Sequence, residues 1–159
     1  MKPTPPAFYE KQYFNKYFIA LMIGISLFLI AIFISSMLSR KHILNLLPLL
    51  IAPIITAFIV NMRLETKIQD NMLFYKLFPL HMKWRTLDIS SLSNVNSIQY
   101  MPLRNYGGWG LRYGKDGEVA YIMSGNKGVR VFTSSGKRIL FGSQKPDELA
   151  HVLENLQKT

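Results

Sequence analysis

The 159-residue chain is 49% apolar and 18% charged, with nineteen basic residues against nine acids, a formal net charge of +10, a mean hydropathy of +0.14 and no cysteine. Without cysteine it holds no disulfide scaffold, thiolate zinc site, iron–sulfur cluster, thiol nucleophile or lipid-modified cysteine, and its apolar and aromatic content is too high for a disordered chain. The averages hide two unlike parts: residues 1–62 carry five bases and one acid, and residues 63–159 carry fourteen bases and eight acids. Nearly all the apolar excess lies in the first part, which leaves room for one small soluble domain.

In chain order, residues 1–16 read as a cytoplasmic segment. Phe8, Tyr9, Tyr13, Phe14, Tyr17 and Phe18, mixed with Lys11 and Lys16, are the aromatic and cationic residues favoured at the headgroup level. Residues 17–38 are an uncharged run long enough to span the hydrocarbon core, and residues 43–62 are a second. Only Ser39, Arg40, Lys41 and His42 lie between them. Each of those two charges would cost about 2.5–3.5 kcal/mol at a bilayer centre, so the runs are expected to form a tight transmembrane hairpin with residues 39–42 as its loop. The first run is too long for the apolar part of a cleaved signal peptide and has a second span directly behind it. Pro48 and Pro53 should bend the second span. The small-residue spacings Ala20-x-x-x-Gly24 and Ala52-x-x-x-Thr56 could seat helix on helix. Lys2, Lys11, Lys16, Arg63, Lys67 and Lys76 outnumber the two loop cations, which places both termini on the cytoplasmic side of an inner membrane.

From residue 63 the pattern changes to short alternating segments. Residues 64–70 and 72–78 flank a turn at Asn71, and further strands are expected at 81–85, 95–101, 109–113, 118–123, 128–133 and 138–143. Lys115-Asp116-Gly117, Ser124-Gly125-Asn126-Lys127-Gly128 and Ser134-Ser135-Gly136 read as hairpin connections, so the domain over residues 63–159 is expected to be an antiparallel meander. At the end, Pro146 suits a first helical position, Asp147 and Glu148 suit a first turn, and Leu149, Val152, Leu153 and Leu156 recur at helical spacing. These indicate a helix over residues 145–158 that caps one end of the sheet.

About seven strands followed by one helix is the order of a pleckstrin-homology-like (PH-like) domain. A helical hairpin ahead of it resembles bacterial membrane proteins that carry such domains. Three ordered motifs sharpen the resemblance: Tyr106-Gly107-Gly108-Trp109-Gly110, then Ser124-Gly125-Asn126-Lys127-Gly128-Val129, then Gly142-Ser143-Gln144-Lys145-Pro146 with Glu148 and Leu149. The set is similar to one in a bacterial membrane family of uncharacterised function, with Ser143 in place of a commoner threonine. The resemblance implies a bent antiparallel sheet or barrel capped by a C-terminal helix, and brings no established activity with it.

For binding, Gln144 and Lys145 precede a helix N-terminus that attracts anions. Asn126 and Lys127 lie in a glycine-rich loop that could cradle a phosphate but lacks the spacing of a nucleotide-binding loop. Arg104, Arg112, Arg130, Lys137 and Arg138 could extend these into a basic surface for anionic lipid headgroups. The candidate anion- or partner-binding residues are therefore Lys127, Lys145, Gln144, Asn126, Arg112 and Arg138. Solvated turn and strand cations, hairpin turns at both glycine-rich loops and a core role for Trp109 are the structural alternatives. No metal or cofactor is expected: His42, His81 and His151 form no ligand set, and there is no G-x-S-x-G or paired carboxylate to carry a reaction. The bases are not gathered in one arm or helix, so no nucleic-acid partner is expected. The expected role is non-enzymatic, a binding or assembly module at the cytoplasmic membrane face for another membrane protein or a second copy. Headgroup recognition is the alternative, and a membrane-bound enzyme is a third class.

Overall fold

The computed structural model describes residues 5–38, 49 and 51–158. The chain divides into two compact units, one of Met1–Tyr13 with Arg63–Thr159 and the other of Phe14–Met62. The loop expected at residues 39–42, the start of the second apolar run and Pro48 lie outside the described residues.

In the helical unit, α1 (Lys16–Leu38) starts where the Asn15 side chain accepts a hydrogen bond from the Tyr17 backbone N–H (2.9 Å), an ordinary N-cap. At 23 residues it is about 35 Å long, apolar throughout, and long enough to cross a membrane. It buries only Ser26. The second helix, α2 (Ile51–Asn61), buries only Thr56, and the two hydroxyls meet at 2.8 Å, a polar contact between otherwise apolar helices. Thr56 thus seats helix on helix as its spacing suggested, but against Ser26. Pro53 is the third residue of the described α2, and the residues ahead of it lie largely outside the described ones.

The β unit contains two sheets. The first has the order β1-β2-β3-β4 with β1 at Phe8–Tyr13, β2 at Arg63–Gln69, β3 at Met72–Phe78 and β4 at Arg85–Asp88, all antiparallel. Between β2 and β3, Asp70 and Asn71 both take positive φ (51° and 59°), as a two-residue primed turn requires. Alternation then sends Phe8, Glu10 and Gln12, Leu64, Thr66 and Ile68, and Leu73, Tyr75 and Leu77 to the buried face.

The second sheet has the order β5-β8-β9-β7-β6, with β5 at Leu92–Gln99, β6 at Gly110–Tyr113, β7 at Val119–Ile122, β8 at Lys127–Thr133 and β9 at Arg138–Gly142. A short helix, α3 (Pro102–Tyr106), lies between β5 and β6. The terminal helix α4 (Pro146–Gln157) packs on β5 and β8 and buries Leu149 and Leu153. The sheets meet through aromatic side chains: the Tyr75 ring lies 4.9 Å from both Tyr121 and Phe141, and His81 is 5.6 Å from Tyr121.

Four expectations are corrected. The segment ahead of the first helix contains β1, an integral strand whose Phe8 is 2% exposed. The described strands number nine in two sheets, not about seven in one meander, and β7 pairs with β9 in parallel. The Ser124–Gly128 segment is therefore no hairpin, since β9 lies between β7 and β8. Gly128 is required there because a Cβ would come 2.3 Å from the Phe141 carbonyl oxygen. Residues 81–84 form a loop, and the strand expected at 81–85 begins only at Arg85.

Candidate functional site

The second sheet has one face toward the first sheet and one toward α3. On the α3 side, Tyr100, Tyr106, Ala120, Ile122 and Leu140 form a buried cluster, with Ile98 and Trp109 packed against it. Pro102 opens α3, the Asn105 side chain accepts from the Met101 N–H (2.8 Å), and Gly107 closes the helix at φ 69°. The N–H groups of Gly107 and Gly108 return to the carbonyls of Leu103 and Pro102, both at 3.0 Å. This tight helix presents Arg104 to solvent and turns Tyr106 inward.

Beside α3 is a cleft of about 920 Å³. Its cations are Arg104, Lys115, Arg130 and Arg138, and its aromatic walls are Tyr100, Tyr106 and Phe132. Among the described side chains, Glu118 is the acid in its lining. The Tyr106 hydroxyl donates to Glu118 Oε2 (2.6 Å), and Arg130 reaches Glu118 with Nε to Oε1 (2.5 Å) and Nη2 to Oε2 (3.3 Å). Burial, followed by the bond to Glu118, raises the Tyr106 pKa. For Arg130, burial acts downward, but the bonds from Glu118 and Tyr106 more than offset it and hold the guanidinium charged. Burial also pushes Tyr100 up. These groups donate hydrogen bonds and carry positive charge. Glu118 is already held by two donors, so the polar character left for a ligand is that of an anion receptor.

The sequence-derived candidates separate. Asn126 and Arg138 line the cleft, together with Arg104 and Arg130 of the wider basic set. The Asn126 carbonyl also accepts from Tyr100 N–H (2.8 Å), and the Arg138 guanidinium lies 5.8 Å from the Phe132 ring centroid. Lys127, Arg112, Gln144 and Lys145 are not part of the cleft lining. Lys127 opens β8, its carbonyl accepting from Ser143 N–H (3.0 Å), and Arg112 lies on β6 near Gly108.

The anion expected near Gln144 and Lys145 is supplied by the chain itself. Glu10 of β1 accepts from Ser143 Oγ (2.6 Å) and from Gln144 N–H (2.8 Å), and Ser143 Oγ in turn accepts from Lys145 N–H (2.9 Å). Gln12 Nε2 donates to the Gly142 carbonyl (2.7 Å). The Gly142–Pro146 motif is thus a receptor for β1. Lys145 also pairs with Glu148 at 3.1 Å in the open.

Sequence reasoning missed Tyr100, Tyr106, Lys115 and Glu118 as cleft residues. Their clue was the Tyr106-Gly107-Gly108 helix stop, which turns an aromatic ring under a cationic rim. Among the described residues, no three His, Asp or Glu side chains gather as a metal-ligating group. Comparison of the chain with protein-family models, with curated proteins and with solved structures gives no match.

Proposed function

We propose that the chain is a two-span integral membrane protein that holds a PH-like binding module, without catalytic activity, at the cytoplasmic face of a bacterial inner membrane. One observation carries this reading. Tyr13, the last residue of β1, and Arg63, the first of β2, are direct register partners in one sheet. The chain leaves the β unit at one point and returns beside it, so every outward crossing by the segment between must be matched by a return. With α1 crossing once, the second apolar run, residues 43–62, would cross back, as its apolar composition allows. Cleavage after α1 would take β1, with Phe8 and Glu10, out of the sheet, which argues against a signal peptide. The six flanking cations support cytoplasmic termini.

The module's ligand site in this reading is the α3 cleft, and its partner is an acidic segment of another membrane protein or of a second copy. Arg104 and Lys115 are exposed at the rim, where charge steers partners. Native electrophoresis of the full chain in mild detergent tests it. A complex larger than the monomer is expected, and Arg104→Glu with Lys115→Glu should dissolve it. A monomer that these changes do not alter would contradict the assembly role.

A second reading has a phosphate-bearing headgroup in the cleft, favoured by the exposed cations Arg104 and Lys115 at its rim. Thermal unfolding of the detergent-solubilised chain with added glycerol phosphate would show stabilisation that Arg104→Glu removes. Equal midpoints with and without the ligand would dismiss it.

A further inference from the structure

The outer face of the first sheet is built as a grid. Register aligns Tyr9, Lys67 and Phe74 in one row, Lys11, Glu65 and Lys76 in the next, and Tyr13, Arg63 and Phe78 in the third. Two rows set a cation between aromatic rings, and the middle row sets a carboxylate between cations. Arg63 lies 4.4 Å from the Phe78 ring centroid and Lys67 4.7 Å from that of Phe74, while Lys76 lies 4.8 Å from Trp84. Glu65 in the middle row is engaged by Arg63 at 2.7 Å, and the next row on this face, Gln69, Met72 and Asp88, adds a second carboxylate at its far end.

The third row is also the edge at which the chain passes to Phe14 and returns from Met62. Phe78, in that row, leads into the loop at residues 79–84, where Leu80 is 50%, Met82 74% and Trp84 36% exposed, with Lys83 among them. Leu80 and Met82 stand out from this short loop as exposed apolar side chains, and the Trp84 ring beside them is flanked by the Lys67 and Lys76 amines at 5.3 and 4.8 Å. Aromatic rings, aliphatic tips and cations in this mixture match the chemistry of a bilayer's headgroup layer, and the net positive charge matches an anionic one.

We propose that this face, with the 79–84 loop as its inserting tip, docks on anionic lipid headgroups of the bilayer that the chain's own helices cross, fixing the module's orientation and leaving the α3 cleft for its ligand. The proposal rests on the membrane reading above. It differs from the basic surface around Lys127 and Lys145, which lie outside this sheet.

The chain's two tryptophans, Trp84 and Trp109, provide the test. The full chain carrying Trp109→Phe is placed in nanodiscs of phosphatidylglycerol and phosphatidylcholine with brominated acyl chains, and its fluorescence is compared with that in unbrominated discs. Co-elution with the discs reads the membrane assignment separately from docking. The expected result is loss of about half the Trp84 emission. Trp109, read in a Trp84→Phe chain, should lose little. Quenching of Trp84 should weaken in discs of phosphatidylcholine alone and in the Lys67→Glu, Lys76→Glu chain. Co-elution with unquenched Trp84 would overturn the docking, and equal quenching in both disc types would overturn its preference for anionic lipid.

Discussion

Phe8–Tyr13 and Lys16–Leu38 stand two residues apart, and both carry aromatic residues and a lysine, yet they meet opposite fates. In β1 every second residue is buried, and the inward set includes Glu10 and Gln12, whose polar atoms find partners on Ser143, Gln144 and Gly142. In α1 a single serine is buried along 23 residues; Ile19, Met22, Leu29, Ile30 and Phe33 form a half-buried stripe with it, and most of the remaining apolar side chains are exposed. Composition already separates these stretches, since half of β1 is Glu10, Lys11 and Gln12 while α1 is uncharged from Tyr17 onward; period and the destination of the polar groups complete the difference. A strand can carry a carboxylate inward when donors await it, whereas a long helix with most of its apolar side chains exposed suits an apolar solvent.

The comparison is broken most severely by removing residues 1–13. This bares the β2 edge and empties the places of Phe8, Glu10 and Gln12, so the β unit of the full membrane-bound chain should lose its resistance to trypsin. An unchanged digestion pattern would mean that β1 is not part of the fold. Smaller and more selective, Phe8→Ala should destabilise the β unit by about 3–5 kcal/mol. Phe28→Ala in α1, at a side chain 67% exposed, should change it by no more than about 0.5 kcal/mol. Urea unfolding in detergent, followed by proteolysis, reads both.

Glu10→Ala leaves the Ser143 hydroxyl and the Gln144 N–H without their acceptor, and the cost should be about 1–3 kcal/mol. The smallest effect concerns an inward polar group with no such receptor. His81 is buried, and its Nδ1 has no hydrogen-bond partner among the described residues. Burial, with Arg85 nearby, lowers its pKa below the ordinary 6.5. The unfolded chain therefore binds a proton first as pH falls, so stability from this site is complete above 6.5 and declines from there down through the folded value. His81→Phe should flatten that part of the melting-temperature profile between about pH 7 and 5. A profile unchanged by the substitution would remove His81 as its cause.

Much of the second part of the chain was legible because its signals are local. The Asn71 turn, the Ser134-Ser135-Gly136 hairpin and the leucines of the final helix each follow from a few adjacent residues. What was hidden depends on distant partners. β1 becomes a strand only because Arg63–Gln69, some fifty residues on, supplies its ladder, and its aromatic residues suited the membrane boundary equally well. Nor can spacing reveal that β9 inserts between β7 and β8, which turned an apparent hairpin loop into a crossing connection and Gly128 into a point of backbone contact. Of the candidate site, the cations Asn126 accompanies in the cleft were visible as residues but not as neighbours. Ahead of Pro146 the sequence suggested an anion held by a helix N-terminus; Glu10 instead meets the Ser143 hydroxyl and the Gln144 N–H before the helix begins, a pairing across more than 130 residues that no local spacing shows.

The central claim is that the chain between Tyr13 and Arg63 makes an even number of crossings. Because the protein has no cysteine, single substitutions report topology without background. Ser39→Cys, between the two apolar runs, and Ser135→Cys, in the exposed β8–β9 turn, are each exposed to a membrane-impermeant maleimide in intact cells producing the chain and again after lysis. Labelling at position 39 before lysis, and at position 135 only after it, is the expected result. Both positions reacting on the same side would contradict the account.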